Sequence, residues 1–196
     1  MWLIIIASAQ AFEVDVGLGS ELVANEPFVN PIGMRGSVTL RPLPWLGAGL
    51  SLAGYPLRVQ TTRYDVIAGF SIVPDAAPIV GTGSFVGAVR FARGPIGTFD
   101  GAIDLVVGVG GVYSVDDCVA LQMVDDPVCL GTQRQLHPAS IIGLNAMIGQ
   151  GQWGVRLRGE RWAYTETVAG TVERSKDPVW LGVDLVVRFG GAPASP

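Results

Sequence analysis

The chain has 196 residues, of which 49% are hydrophobic and 15% are charged, and its formal net charge is −4. This charge disfavours nucleic acid as a partner, because phosphate binding needs a basic patch. No run of eighteen apolar residues exists, so a transmembrane helix is not expected. Lysine is nearly absent, Lys176 being the only one, and this scarcity argues against a large solvated surface.

The first eleven residues have the features of a remnant secretory signal. The apolar run Trp2–Ile6 precedes Ala9-Gln10-Ala11, which fits a small-x-small cleavage site. The segment is short and lacks a positively charged start, so the alternatives are a true start that lies upstream and an ordinary first strand. We therefore expect a signal remnant at residues 1–11, a barrel at residues 12–190 and a flexible C-terminal tail at residues 191–196.

Apolar residues recur with a period of two in eight segments. Successive side chains of a strand point to opposite faces, so each segment has one apolar face and one face of small or charged groups. The last segment, which ends at Phe189, is long enough to cross a hydrocarbon layer when tilted. Its terminal aromatic residue resembles the signal by which bacterial outer-membrane barrels are recognised for assembly. The eight segments are Phe12–Gly19, Met34–Leu40, Leu46–Leu52, Ser84–Phe91, Phe99–Val109, Ile142–Gly149, Trp153–Glu160 and Val179–Phe189.

The connections between these segments alternate in length. Three are short, namely Pro42–Trp45, Arg93–Gly97 and Gln150–Gln152. Four are long, namely Leu22–Gly33, Tyr55–Gly83, Ser114–Pro138 and Thr165–Pro178. This rhythm predicts an all-β protein, an eight-stranded antiparallel up-and-down transmembrane β-barrel of the outer-membrane type. We expect it in the outer membrane of a Gram-negative bacterium, with the short turns and both termini periplasmic.

One further segment, Tyr64–Ile72, also alternates. As a ninth spanning strand it would place the cysteine-containing loop on the wrong side of the membrane. We assign it to an external hairpin or a strand extension within the second long loop, and a ten-stranded barrel is the alternative.

Alternation does not show which face points outward, because a soluble lipocalin-like barrel has the same period. The polar face consists of Gly, Ser, Ala, Arg and Asp, a composition that suits a crowded interior. Six aromatic residues fall near the predicted periplasmic ends and predict a girdle at the membrane surface. These features favour the membrane barrel over the soluble one. The six are Phe12, Trp45, Phe91, Phe99, Trp153 and Phe189.

Twelve charged residues fall on the inward-facing side of the predicted strands. Buried charges must be paired, and equal numbers of acids and arginines satisfy this requirement. Because eight strands leave room only for side chains, we expect a closed salt-bridge network, with a narrow ion channel as the alternative. The twelve are Glu13, Asp15, Asp100, Asp104, Glu160 and Asp184 with Arg35, Arg41, Arg90, Arg156, Arg158 and Arg188.

The order of several short motifs resembles a known family. Phe12-Glu13 is followed by Asn25–Asn30 (NEPFVN), by a turn ending in Trp45-Leu46, and later by the Trp-led strand Gln152–Arg158. This order is similar to the myxobacterial-type outer-membrane β-barrel family and covers most of residues 12–190. The resemblance implies a small eight-stranded barrel in the outer membrane and no established activity.

The two cysteines, Cys118 and Cys129, lie in an acidic, loop-like stretch. With an export signal, a local disulfide is expected, and a loop of this size gains about 3 kcal/mol in the chain-entropy model. Two free thiols in a reducing compartment are the alternative. A zinc site is not expected, because His137 is the only histidine and structural zinc needs four ligands.

No other set of residues predicts catalysis or metal binding. His137 with Ser140 imitates part of a hydrolytic triad, but no nucleophile elbow is present, and we expect His137 in a solvated loop. We therefore expect no catalytic residue, no cofactor and no metal, and an outer-membrane enzyme is the rival class.

The expected partners are outer-membrane lipid, lipopolysaccharide, and a protein or surface ligand at the external loops of a monomer. Arg161 faces lipid by its position in the alternation. It could meet lipopolysaccharide phosphates or extend its charge into the headgroup layer.

Overall fold

The computed structural model describes residues 12–24, 32–55, 64–67, 71–74, 79–116, 120–123, 126–129, 133–168 and 172–190. The predicted signal remnant at residues 1–11 and the predicted tail at residues 191–196 lie outside these ranges. Within the described ranges, no helix is long and apolar enough to span a membrane.

Thirteen β-strands make up the described secondary structure. They are β1 (Glu13–Ala24), β2 (Ile32–Leu43), β3 (Leu46–Gly54), β4 (Tyr64–Ile67), β5 (Ser71–Pro74), β6 (Ile79–Ile96), β7 (Phe99–Asp116), β8 (Ala120–Met123), β9 (Asp126–Cys129), β10 (Gln133–Gln150), β11 (Trp153–Val168), β12 (Val172–Lys176) and β13 (Val179–Gly190).

The strands close into one antiparallel barrel. Neighbouring strands of the wall pair in the order β1, β2, β3, β6, β7, β10 and β11. Strand β11 pairs with both β12 and β13, and β13 pairs with β1, which closes the barrel. Because β12 and β13 occupy one position in the wall, separated only by Asp177 and Pro178, the barrel has eight strands. The predicted fold class is confirmed.

Two tight turns depend on glycine. Gly97, between β6 and β7, has a φ of 64°, and Gly151, between β10 and β11, has a φ of 62°. Both values lie in the left-handed region, which glycine adopts without the steric cost of a Cβ atom. These turns and the β2–β3 turn lie at the same end of the barrel as Phe12 and Gly190, which we call the turn end. The opposite end is the loop end.

Two small hairpins lie outside the barrel sheet. β4 pairs with β5, and β8 pairs with β9, in separate two-stranded sheets. β4 and β5 contain the described residues of the alternating segment that runs from Tyr64 to Ile72, so its assignment to a hairpin within the long connection is confirmed and the ten-stranded alternative is wrong.

The two faces of the wall differ sharply in polarity. Large apolar side chains project outward, and Leu18, Met34 and Leu52 are each about 70% exposed. Charged side chains point inward, where Asp184 and Asp15 are almost fully buried. This is the reverse of a soluble lipocalin-like barrel, which keeps its apolar face inside.

Candidate functional site: the barrel interior

Six charged residues form a cluster in the lumen at the turn end. Asp104 accepts hydrogen bonds from Arg41 and, at 3.0 Å, from Arg90 Nε. Arg188 Nε lies 3.2 Å from Asp15 Oδ1 on the neighbouring strand β1, whereas the Arg41–Asp104 pair joins β2 to β7 across the lumen. We call this the turn-end ion cluster, and its members are Glu13, Asp15, Asp104, Arg41, Arg90 and Arg188.

A second group of six charges fills the middle of the lumen. Asp184 Oδ2 accepts from Arg156 Nη2 at 2.7 Å and from Arg158 Nε at 2.9 Å. Arg35 Nη1 is 3.1 Å from carboxylate oxygens of both Glu21 and Glu160. This central ion cluster consists of Glu21, Glu160, Asp184, Arg35, Arg156 and Arg158.

Each cluster, as described, holds three acids and three arginines. Burial of an isolated charge is costly, so this one-to-one pairing is what a closed interior requires. The structure brings together all of the predicted interior charges except Asp100. That residue is half-buried beside the turn at the start of β7 and joins neither cluster in the described part of the chain.

Glu21 is a member of the central ion cluster that the sequence pattern did not predict. It is 2% exposed and receives hydrogen bonds from Arg35, Arg158 and Tyr55. The apolar alternation was followed only to Gly19, although β1 continues to Ala24. The sequence nevertheless contained a signal for it, because Glu21 lies on the same alternation of inward-facing positions as Glu13 and Asp15.

Glycines on the inner face provide space for the arginines. A Cβ atom at Gly17 would lie 2.5 Å from Arg156 Nη2, and one at Gly182 would lie 2.4 Å from Arg158 Nη2. Both distances are shorter than real Cβ contacts. The guanidinium groups therefore occupy volume that any other residue at these positions would fill.

An aromatic layer covers the central ion cluster on its loop-end side. Trp180 packs against Tyr55 and Trp162, with ring centroids 5.6 Å and 5.4 Å apart. All three side chains are buried, and Trp162 Nε1 donates to Glu160 Oε2 at 3.1 Å. Val23, Val106, Val112 and Ile141 belong to the same buried apolar group. The sequence analysis missed this layer because it treated the inner face as small and charged only.

His137 lies above this layer, at the loop end of the lumen. The prediction of a solvated loop is wrong, because His137 belongs to β10 and is 5% exposed. Its Nδ1 lies 3.1 Å from the carbonyl oxygen of Thr165, an acceptor only, so Nδ1 carries the proton. In the neutral ring Nε2 then accepts from the Ser114 hydroxyl, which lies 2.9 Å away. Ser140 faces outward and takes no part, and Ser114 is buried, so these contacts connect β7, β10 and β11.

Arg161 projects outward from β11 at the loop end. Its guanidinium donates two hydrogen bonds to Asp177, the residue that precedes Pro178 between β12 and β13. These hydrogen bonds hold the pKa of the Asp177 carboxyl below its usual value. Arg161 therefore has its own counter-charge in the protein, which the sequence analysis did not foresee.

The six predicted girdle residues all lie on the outer surface near the turn end. Each of them is between 44% and 61% exposed. Phe12 precedes β1, Trp45 precedes β3, and Phe99 and Trp153 are the first residues of β7 and β11. Phe91 and Phe189 lie in the turn-end parts of β6 and β13.

The predicted disulfide falls outside the described part of the molecule. Cys118 is not among the described residues, and Cys129 is described only as the last backbone position of β9. Among the described side chains, no group of three or more His, Cys, Asp or Glu residues could hold a metal ion.

A closed eight-stranded barrel with an apolar exterior and a charged interior defines the class of small outer-membrane-type barrels. Among solved structures, Neisserial surface protein A is similar at a TM-score of 0.51 and 8% identity, over 91% of this chain and 97% of that chain. Ail, the attachment invasion locus protein of Yersinia pestis, is 10% identical over 92% of this chain and 99% of its own, at a TM-score of 0.48.

A major outer membrane protein from Thermus thermophilus is 14% identical at a TM-score of 0.48, over 92% of this chain and 100% of its own. At these identities the likeness concerns the fold alone. No family model and no curated protein matches the chain, so the myxobacterial-type family stays a resemblance.

Proposed function

We propose that this protein is an integral outer-membrane protein whose closed barrel is a structural or surface-interaction element of a Gram-negative cell envelope. One observation carries the proposal, namely the reversed polarity of the barrel. Its exterior of large apolar side chains suits hydrocarbon, and its interior charges are compensated. Such a surface would be unfavourable in water and is stable in lipid.

The proposed orientation places the turn end in the periplasm and the loop end outside the cell. Short turns and an aromatic girdle at one end, with long connections at the other, support it. The proposed partners are outer-membrane lipid, lipopolysaccharide and a protein or surface ligand at the loops. In this proposal the protein is a monomer without catalytic activity or cofactor.

Two finer features belong to the same proposal. A Cys118–Cys129 disulfide would restrain the third long connection and reduce the entropy lost when that connection binds a partner. Membership of the myxobacterial-type family would agree with the motif order, which begins at Phe12-Glu13 and includes the Trp-led strand at Trp153.

The interior favours a closed barrel over a channel or an enzyme. The two ion clusters and the aromatic layer occupy successive levels of the lumen, and their paired charges and packed rings support closure. For an enzyme, the Ser114–His137 pair is the nearest arrangement to a nucleophile and base. Both residues are buried between strands, which supports a structural role.

Cell fractionation with a heat-modifiability gel tests the membrane assignment. The folded protein should require detergent for extraction and should migrate differently from the boiled protein, because closed barrels resist denaturation by the gel detergent. Recovery of folded protein in the soluble periplasmic fraction would rule out the proposal.

Labelling on intact cells tests the orientation. In a Cys118→Ser/Cys129→Ser background, Thr61→Cys places a thiol in the second long connection, and Thr98→Cys places one in the β6–β7 turn. A membrane-impermeant maleimide should label the first variant and not the second. Labelling of only the Thr98→Cys variant would show that the barrel has the opposite orientation.

A further inference from the structure

A groove crosses the outer wall at the loop end. Its volume is about 580 Å³, within the range of small-molecule sites. The side chains that line it on β7, β10, β11 and β12 include Val109, Ser140, Ala163, Thr165 and Ser175. Unlike the large apolar residues that cover the rest of the wall, most of these side chains are small or carry a hydroxyl group.

The strand registers place the groove at the edge of the apolar surface. Val107, Ile142 and Val179 belong to one row of paired positions, together with Arg161. The next outward-facing row toward the loop end contains Val109, Ser140 and Ala163, and the row beyond it contains Pro138 and, on β11 and β12, Thr165 and Ser175. The groove thus begins where most of the large apolar side chains stop, although Leu136 on β10 lies beyond it and is exposed. In a membrane this edge lies at the level of the lipid headgroups.

The cations near the groove have partners in the protein. Arg161 donates two hydrogen bonds to Asp177, and Lys176 Nζ lies 3.9 Å from Glu166 Oε2. Phosphate recognition depends on cationic side chains that are available to the ligand. This compensation therefore disfavours an anionic headgroup, whereas the hydroxyl groups of the lining can both donate and accept hydrogen bonds.

We propose that this groove binds the uncharged sugar headgroup of a membrane glycolipid. The hydroxyls of Ser140, Thr165 and Ser175 would exchange hydrogen bonds with sugar hydroxyls. Val109 and Ala163, on the side nearer the apolar surface, would contact the first carbons of the lipid chains. The inference rests on the proposed membrane location and adds a ligand class to it.

Lipid retention in nanodiscs tests this site. The protein is placed in discs of phosphatidylcholine that contain equal small amounts of monoglucosyl diacylglycerol and phosphatidylglycerol, and retained lipids are counted by native mass spectrometry. We expect the glucosyl lipid to be retained about fivefold more than phosphatidylglycerol, the ratio that one net hydrogen bond provides. Equal retention, or preference for phosphatidylglycerol, overturns the proposal.

Three variants sharpen the test. Ala163→Leu fills the groove and should abolish the preference, whereas Ala92→Leu adds the same side chain to the wall near the turn end and should preserve it. Asp177→Asn removes the counter-charge of Arg161 and should increase phosphatidylglycerol retention. Undiminished preference in Ala163→Leu, or unchanged phosphatidylglycerol retention in Asp177→Asn, contradicts the proposal.

A separate readout keeps failure of this site distinct from failure of the membrane assignment. Each variant is first checked for incorporation into the discs and for heat-modifiable migration. A protein that never enters the discs refutes both proposals, whereas a folded, incorporated protein without headgroup preference refutes only the glycolipid site.

Discussion

At the level of single residues, the charged interior depends on how closely strands and side chains approach each other. Arg156 and Arg158 lie over glycines, and both donate to Asp184. Interiors packed at this density tolerate added atoms poorly, because neighbouring side chains are already fixed by their own contacts. The glycines of the inner face are therefore as important for packing the charged interior as the balance of charges.

Gly19 tests this dependence on close approach. A Cβ atom there would lie 2.0 Å from the carbonyl oxygen of Val183 and 2.5 Å from Asp184 Oδ1, so Gly19→Ala requires a backbone shift. We expect it to lower the free energy of unfolding by about 1–3 kcal/mol. The matched control is Gly36→Ala, where the nearest atom, Leu18 Cδ2, is 3.7 Å away. Urea unfolding in micelles, followed by tryptophan fluorescence, measures both, and equal stabilities would contradict the packing argument.

Arg156 tests the pairing of buried charges. Arg156→Ala leaves the central ion cluster with three acids and two arginines, and it should cost about 3–5 kcal/mol because one buried charge is then uncompensated. The double variant Arg156→Ala/Asp184→Ala restores the balance and should cost less than the single one. Arg161→Ala is the control, because this arginine forms a solvent-exposed pair whose loss should change the free energy of unfolding little. A double variant less stable than Arg156→Ala would refute the compensation argument.

At the level of elements, the sequence predicted where strands cross the membrane better than where they end. Large apolar residues at every second position identified all eight barrel positions. They did not predict that β7 continues to Asp116 and that β10 begins at Gln133. In these extensions the outward residues no longer need to be apolar, while the strand pairing continues, as between Gln135 and Ser114. The pattern therefore ends before the strand does.

In the candidate site, too, the sequence pattern predicts some residues and not others. The charged residues on strands with apolar alternation were predicted to point inward, because their position in the alternation alone determines which face they occupy. Tyr55 and His137 were assigned to loops, because their strands have no strong alternation at that level. Their placement depends on three-dimensional packing across the lumen, which local spacing does not contain.

Leu185 tests whether the central part of β13 faces hydrocarbon. Its side chain is 54% exposed on the outer wall, midway between the girdle and the loop-end edge of the apolar surface. Leu185→Arg should cost about 2–4 kcal/mol, the penalty for arginine near the bilayer midplane. Leu43→Arg, at the turn end of β2, should cost only about 0–1 kcal/mol near the interface. Folding into vesicles, followed by gel mobility, compares them, and equal penalties would argue against a membrane-spanning wall.

At the level of the whole molecule, the lumen is divided into layers that close it at successive depths. The turn-end ion cluster, the central ion cluster and the aromatic layer each tie together strands that are not neighbours in the wall. Arg35, for example, connects β2 to Glu21 on β1 and to Glu160 on β11. The same side-chain contacts therefore close the lumen and stabilise the barrel.

Single-channel recording tests this closure directly. In planar bilayers the protein should give no sustained conductance, because an eight-stranded barrel has room only for side chains and these side chains are paired. The double variant Trp162→Ala/Trp180→Ala removes most of the aromatic layer and should also remain silent, since both ion clusters still fill the lumen. A sixteen-stranded porin, whose lumen is an aqueous channel, provides the positive control. Stable, salt-dependent current steps from the unmodified protein would show that the ion pairs line a path for ions rather than close it.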